Sequence, residues 1–251
     1  MKKLLYLFLA ITVACSSGDD SSDNQNNTSG KKLTSINILN PCIWCEAEFG
    51  DYGYTNGKLT SVEGGGFVTD ENGDFLQGYP NEDFYIMEHL SNSIRINEDG
   101  YAETYPTNND GTVMTENIDF SEGYVQRVYD VFYSWSNGNL VEFVHPDGDA
   151  TVIDYTDFDD LTGHLGITIA MGGYFQYTLD NILAITGLIG NSTDKLPYSL
   201  TVTGNNYKSQ TIYTYLFDDD GYPIQIVQEN YSTYSDGTTY TSTRRFQLTY
   251  E

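Results

Sequence analysis

The sequence predicts an all-β fold, an antiparallel meander of stacked hairpins that forms a curved or barrel-like sheet. One supporting observation is composition: Tyr and Thr suit strands, and the 251-residue chain has 22 Tyr. A second is that short runs alternating with a period near two lie between Asn-Gly and Asp-Gly pairs, which favour hairpins. Because strand and helix patterns do not alternate along the chain, a parallel sheet is not expected.

The clearest strand runs are 131–135, 140–144 and 211–215. Dipeptides that tolerate positive φ angles separate such runs, and each is predicted to form a type I′ turn. They are Asn56-Gly57, Asn72-Gly73, Asp99-Gly100, Asp110-Gly111, Asn137-Gly138, Asp147-Gly148, Asp220-Gly221 and Asp236-Gly237.

Three of these turns, at Asn56, Asn137 and Asp220, begin weakly self-similar units. In each unit the turn leads into a strand that opens with an apolar residue. This similarity predicts stacked hairpins, although the irregular spacing does not define a formal repeat.

The segment Leu179–Gly190 (LDNILAITGLIG) departs from the strand rhythm because its apolar residues cluster at helical spacing. It predicts a short helix or apolar loop that covers one face of the sheet. A dozen residues are too few to span a bilayer as a helix.

The N-terminus is typical of a bacterial lipoprotein. Lys2 and Lys3 precede an apolar run, and the small residue Ala14 stands directly before Cys15. Residues 12–15 resemble a lipobox, with Thr12 in place of the usual Leu. We therefore expect cleavage after Ala14 and acylation of Cys15, whose acyl chains would anchor the protein to a membrane. An ordinary signal peptide with an incidental Cys is the alternative.

Residues 1–14 are thus predicted to be a signal peptide, and 15–31 a lipidated Cys followed by a disordered acidic tether. Residues 32–251 are predicted to be one all-β domain. The acidic pair Asp19-Asp20 resembles the export signal of Bacteroidetes surface lipoproteins. That resemblance implies that the protein lies on the extracellular side of the outer membrane. The alternative is that these residues are a solvated linker with no targeting role.

Charge excludes one class of partner. After removal of the signal peptide, 36 acidic residues stand against 9 basic ones, a formal charge of −27. Nucleic acid is not an expected ligand, because its binding requires Lys and Arg to neutralise phosphates. The acidity is more simply explained by solubility and self-repulsion.

The C-terminal half, about 130–251, resembles a Bacteroidetes lipoprotein family of unknown function with a porin-like fold. Four segments carry the resemblance: 133–140 (YSWSNGNL), 190–197 (GNSTDKLP), 213–223 (YTYLFDDDGYP) and 246–250 (FQLTY). The loop before Leu196 departs mildly from the usual family pattern. The resemblance implies a curved antiparallel meander and no catalytic residues.

Cys42 and Cys45 form a C-x-x-C pair. Nothing helical follows to lower a thiol pKa, so a redox centre is not favoured. A four-Cys zinc site is excluded because Cys15 is the only other Cys. In an oxidising compartment we expect a local disulfide, with free thiols as the alternative.

No metal or cofactor site is predicted. The stretch 70–74 (DENGD) imitates the start of a calcium loop, but its Gly is misplaced and Asn81 stands where a bidentate Glu would close the loop. The residues Asp218 to Gly221 fit a hairpin turn better than a metal site. The three histidines, His89, His145 and His164, have no metal-ligand spacing.

Aromatic residues are the remaining candidates for ligand contact. Trp44 and Trp135, with many Tyr, could stack on sugar rings. Cross-strand pairing and core packing are the alternative role of such residues.

Two functions follow from these features, neither of them enzymatic. The first is a surface-exposed, non-enzymatic accessory subunit of an outer-membrane assembly, because open sheet edges can pair with another chain. The second is a glycan- or nutrient-binding lipoprotein that serves an uptake system. A hydrolase is a third class, which no motif in the sequence favours.

Overall fold

The computed structural model describes residues 30–38, 47–56, 58–69, 75–98, 101–109, 111–171 and 190–251. Within these residues the chain forms one 15-stranded antiparallel sheet and one short helix, so the predicted all-β meander is confirmed. The elements are β1 (Leu33–Ile38), β2 (Ala47–Thr55), β3 (Lys58–Thr69), β4 (Phe75–His89), β5 (Ser93–Glu98), β6 (Tyr101–Pro106), β7 (Ile118–Ser121), β8 (Tyr124–Val128), β9 (Val131–Ser136), β10 (Asn139–Val144), β11 (Ala150–Asp159), α1 (Leu165–Ala170), β12 (Lys195–Thr203), β13 (Tyr207–Phe217), β14 (Pro223–Tyr234) and β15 (Thr239–Tyr250).

The sheet order shows that both halves of the chain belong to one sheet. Strands run β6-β5-β4-β3-β2-β1-β15-β14-β13-β12-β11-β10-β9-β8-β7, so the first and last strands meet in its middle. The β1–β15 ladder extends from the Leu33–Tyr250 pair to the Ile38–Phe246 pair. The edges, β6 and β7, are consecutive in sequence.

The segment 107–117 runs between the two edge strands. On one side, Met114 N donates to Pro106 O (2.6 Å) at the end of β6. On the other, Asn117 O accepts from Tyr129 N (2.7 Å), just beyond β8. β6 and β7 are thus the edges of the sheet, no ladder joins them in the described part of the chain, and five of the six residues of β6 are exposed.

The core lies on the concave face of the curved sheet. Buried apolar side chains from strands near both edges, such as Ile94 and Val125, belong to a single cluster. All six residues of α1 are buried within it. A helix that is apolar on every side must be surrounded by protein, so α1 fills the space that the curved sheet encloses.

The convex face of the sheet is largely polar. In β15, the exposed residues Thr243, Arg245 and Gln247 alternate with the buried Phe246 and Leu248. This alternation is the period-two pattern of a sheet with one buried and one solvated face.

The turn chemistry was predicted correctly only in part. Asn137 and Gly138 have φ values of 49° and 74°, as a type I′ turn requires. The predicted type I′ turns at 147–148, 220–221 and 236–237 are wrong, because only the Gly of each pair has positive φ. In these longer loops a type I turn is followed by a left-handed Gly, which suits the flanking strand twist equally well.

The helix α1 was not predicted. Its sequence, LGITIA, contains β-branched residues that favour strands, but burial inside the sheet overrides that weak preference. The predicted helix at 179–190 lies outside the described residues apart from Gly190, which forms a β-bridge with Tyr124. No helix in the described ranges is long and apolar enough to cross a membrane.

Candidate functional site

The sheet has two ends with different chemistry. At the proximal end, the chain enters β1 at Leu33 and leaves β15 at Tyr250. At the distal end lie the β12–β13 and β14–β15 turns. Strand β13 has 11 residues. A strand of that length, at roughly 3.3 Å per residue, separates the two ends by about 35 Å.

A recurrent hydrogen bond fastens the proximal end. Seven pairs of strands leave this end and return to it, and in six of them an aromatic ring on the returning strand contacts a backbone carbonyl near the start of the outgoing strand. We call these contacts latches. They are Tyr54–Leu33 (3.0 Å), His89–Leu59 (2.8 Å), Trp135–Val125 (2.6 Å), Tyr155–Leu140 (2.7 Å), Tyr215–Pro197 (2.6 Å) and Tyr250–Pro223 (2.8 Å).

The latches explain the self-similar units of the sequence. Leu59, Leu140 and Pro223 are apolar residues that follow the three predicted turns, and each supplies a latch carbonyl. Burial raises the pKa values of Tyr155 and Tyr250 well above the ordinary value for tyrosine, so both hydroxyls stay protonated and donate. At His89 the proton must lie on Nε2 for the ring to donate.

An ion-pair clamp holds the chain where it enters the proximal end. Lys31 Nζ lies 2.6 Å from Asp218 Oδ2 and 2.5 Å from Asp220 Oδ2, both in the β13–β14 turn. The Lys31 backbone N–H donates to the Tyr222 hydroxyl (3.1 Å), and its ammonium lies 5.5 Å from the centre of that ring. The Lys31 ammonium, and then the Tyr222 N–H, hold the pKa of Asp218 below its usual value.

The segment 190–195 crosses the hairpin tips at the same end. Asn191 N donates to Gly123 O (2.7 Å) in the β7–β8 turn, and Asp194 N donates to Gly138 O (3.1 Å) in the β9–β10 turn. These contacts tie neighbouring hairpins together beyond the ends of their ladders.

The start of α1 is organised by Asp160. One carboxylate oxygen accepts from the backbone N–H (3.1 Å) and hydroxyl (2.6 Å) of Thr162, and the other accepts from Gly166 N (2.7 Å). Burial raises the pKa of Asp160, while the hydrogen bonds from Thr162 and Gly166 oppose the rise. Burial lowers the pKa of His164 beside it, against the attraction of Asp160. We interpret this group as structural, because every contact of the carboxylate serves the helix start.

The distal end instead carries an open groove of about 600 Å³ between two hairpins. Ser235 N donates to Asn206 O (2.8 Å), which joins the two turns at the tip of the groove. Tyr231 and Tyr234 line it with 45% and 46% of their surface exposed. Exposed rings in a concave site offer apolar faces to a ligand while their hydroxyls stay in water.

Polar side chains surround these rings. Asn205, Asn206, Lys208 and Gln210 line the same groove. Along the β13–β14 ladder Lys208, Gln210 and Tyr231 point to one face of the sheet and Tyr207 and Tyr234 point to the other, because successive side chains of a strand alternate between faces. Beside them, Tyr207 lies with its ring 6.3 Å from that of Tyr234 and donates its hydroxyl to Asp149 Oδ2 (2.9 Å). This hydrogen bond raises the pKa of Tyr207 and fixes the ring. A few aromatic faces among convergent amides and hydroxyls are the features of a binding site for a polar ligand with apolar faces.

Most of the predicted site residues lie outside the described residues: Ala14, Cys15, Cys42, Trp44 and Cys45. Their cleavage, acylation, disulfide and stacking roles stay predictions.

Trp135 is half-buried against the core, its N–H is used in a latch, and its ring centre lies 4.7 Å from that of Tyr124. The structure therefore gives Trp135 a packing role, and its ligand stacking stays a prediction. Sequence reasoning missed the tyrosines of the groove; the turn pair Asp236-Gly237 beside them was their only local signal.

Comparison with known proteins identifies the fold. A porin-like protein from Bacteroides uniformis, known from a crystal structure, is similar over 88% of this chain and 98% of its own, with 14% identity and a TM-score of 0.56. One from Bacteroides vulgatus aligns over 85% of this chain and 86% of its own, with 13% identity and a TM-score of 0.29. No protein family model and no curated protein matches the chain.

The similarity to the Bacteroides uniformis protein confirms the porin-like β fold that the family resemblance implied. It covers 88% of the chain and is thus not confined to residues 130–251. Membership of the lipoprotein family stays a prediction.

Proposed function

We propose that this chain is a non-enzymatic outer-membrane lipoprotein that binds a glycan in its distal groove. The observation that carries the proposal is the placement of the groove. Exposed rings and amides lie at the end of the sheet opposite to Lys31, where the chain from Cys15 enters.

This placement suits an anchored binding protein. Acyl chains on Cys15 would hold the chain at the membrane, and the clamp at Lys31 fixes the proximal end nearest to that anchor. The groove then lies about one strand length, roughly 35 Å, farther from that anchor than the proximal end does.

The surface of the sheet supports a position in water. A sheet that spans a bilayer carries an outward apolar band. Here β15 exposes Thr243, Arg245 and Gln247, while its apolar residues face the core. We assign membrane attachment to the predicted lipid on Cys15.

Glycan binding is tested with full-length lipoprotein purified in detergent. We expect isothermal titration against a panel of neutral and acidic oligosaccharides to find at least one ligand with a millimolar or tighter Kd. Tyr231→Ala should weaken that binding by about tenfold, because truncating a buried aromatic contact removes more than 1 kcal/mol. Tyr198→Ala is the matched control, since Tyr198 is similarly exposed but lies outside the groove. Equal losses in both variants, or no binding to any member, would reject the proposal.

A second candidate is the accessory subunit of an outer-membrane assembly. Its support is the exposure of Phe132 (58%), Val152 (47%) and Leu216 (56%) on the polar outer face. Exposed apolar side chains of this kind mark protein contacts when they are contiguous. The exposed edge strand β6 also supports the edge-pairing mode that first suggested this role.

Affinity purification from detergent-solubilised membranes distinguishes the candidates. A stoichiometric outer-membrane partner that is retained by wild type and lost from the double variant Phe132→Ser, Val152→Ser would favour the accessory role. A lone monomer would favour glycan binding.

A further inference from the structure

The charge of the groove differs from that of the chain as a whole. The protein has 36 acidic and 11 basic residues. Among the described residues that line the groove none is acidic, whereas Lys208 is basic. The groove is therefore a local exception on an acidic surface.

Lys208 differs from the ion-paired cations of the described part of the chain. Lys31, Arg127 and Lys195 each form an ion pair with Asp at 2.6 Å or less. No ion pair to Lys208 is present in the described ranges. Its cross-strand neighbours, Thr203 and Thr233, supply neutral hydroxyls instead.

Two carboxylates close to the groove accept hydrogen bonds from other residues. Asp149 accepts from the Tyr207 hydroxyl (2.9 Å), and Asp236 accepts from Thr238 N (2.8 Å) within its own turn. More distant acidic residues act weakly on the groove, because the screening length at physiological ionic strength is about 8 Å. Lys208 points to the face of the sheet opposite to Tyr207, the residue that bonds to Asp149, and its cross-strand neighbours on its own face are the neutral Thr203 and Thr233.

From these features we infer that the ligand is an acidic glycan, with a sugar carboxylate placed against the Lys208 ammonium. This inference rests on the proposed function and narrows its ligand class. Tyr231, on the same face of the sheet as Lys208 and Gln210, contacts a pyranose face, Gln210 binds hydroxyl groups, and Lys208 selects the charge.

The test compares ligands that differ only in charge. Uronic-acid tetrasaccharides (tetragalacturonate, a hyaluronan tetrasaccharide and an alginate tetramer) are titrated into the full-length lipoprotein beside their carboxyl-reduced neutral forms. We expect at least one acidic probe to bind about fivefold tighter than its neutral form, which is what one partly solvated ion pair supplies. The preference should shrink as salt is raised.

Two variants assign the preference to Lys208. Lys208→Gln should abolish the acid-to-neutral ratio, and Lys208→Arg should retain the ratio. Binding of neutral forms as tightly as acidic ones, or a ratio that survives Lys208→Gln, would overturn this inference and leave glycan binding intact. Absence of binding to every probe and to the wider neutral panel would overturn the proposed function and the inference together.

Discussion

The two ends of the sheet use the same residue type for opposite purposes. At the proximal end, Tyr54, Tyr155, Tyr215 and Tyr250 turn inward and donate to backbone carbonyls. At the distal end, Tyr231 lies exposed in an open groove. The proximal tyrosines contribute to stability, whereas the exposed ring offers a surface for binding. The difference shows why tyrosine content alone could not locate a site.

Truncating one tyrosine at each end should reveal the largest difference in their contributions to stability. Tyr215→Ala removes a latch and a ring that stacks on Phe217, so we expect a loss of about 3 kcal/mol in the free energy of unfolding. Tyr231→Ala should change it by less than about 0.5 kcal/mol, as exposed substitutions usually do. Urea denaturation followed by circular dichroism measures both. Similar losses at the two positions would contradict the division of roles.

Two glycines test how tightly each end is packed. Gly190 and Gly237 both have positive φ, at 94° and 85°. A Cβ on Gly190 would overlap the Gly123 carbonyl, whereas a Cβ on Gly237 meets nothing within 4 Å. Gly237→Ala should therefore cost about 1 kcal/mol from backbone strain alone. Gly190→Ala should cost about 2 to 3 kcal/mol, because the crowded backbone must also shift. Thermal denaturation of the two variants gives the difference, and equal costs would show that the proximal crowding relaxes freely.

Removal of single hydroxyl groups isolates the latch hydrogen bond. Tyr155→Phe keeps the ring but leaves the Leu140 carbonyl without its donor, and we expect a loss of about 1 to 2 kcal/mol. Tyr240→Phe, at an exposed ring of the distal end, is the control and should have no measurable effect. Chemical denaturation of both variants provides the test. A neutral Tyr155→Phe would mean that water replaces the donor.

The smallest effect on the free energy of unfolding is expected at the ion-pair clamp of Lys31. Asp218→Asn should free the entering chain and speed trypsin cleavage after Lys31, with little change in overall stability because the ion pair is exposed. Asp236→Asn is the control, because Asp236 occupies the corresponding turn at the distal end without a Lys partner. Timed proteolysis followed by mass spectrometry compares the two. Equal cleavage rates would show that Asp218 does not hold the chain.

The clamp also has a predicted pH dependence. Because the folded state lowers the pKa of Asp218, its contribution to stability is present above the unfolded value, and it is lost as pH falls through the folded value. The protection factors of the Lys31 and Lys32 amides, which correct for the intrinsic pH dependence of exchange, should therefore stay constant at neutral pH and fall only in acid, below the ordinary range of Asp. A fall in protection near pH 6 would point to another group.

Local patterns in the sequence predicted the scaffold. The runs 131–135, 140–144 and 211–215 lie within β9, β10 and β13, because alternation and turn chemistry are local properties. The apolar residue after each turn was recognised, although its role as a latch acceptor was not. That role depends on a ring up to 30 residues away, as for Leu59 and His89.

The groove and the helix could not be read from local patterns. Thr203, Lys208 and Thr233 become neighbours only when the registers of β12, β13 and β14 are set. Similarly, LGITIA becomes a helix only because a curved sheet encloses it. Trp135 was predicted to contact a ligand because its side chain is large. The exposed rings of the groove are instead tyrosines, which are ordinary residues of a strand.

The pairing of β1 with β15 has a mechanical consequence. A protein held at Lys31 and pulled through a ligand at Tyr231 experiences tension roughly parallel to its strands. Hydrogen bonds between antiparallel strands lie perpendicular to that direction. The ladder from Leu33 to Ile38 is therefore sheared, with all of its bonds bearing the force together, and is not unzipped one bond at a time. An anchored domain built in this way resists drag from a long captured polymer better than its modest number of bonds would suggest.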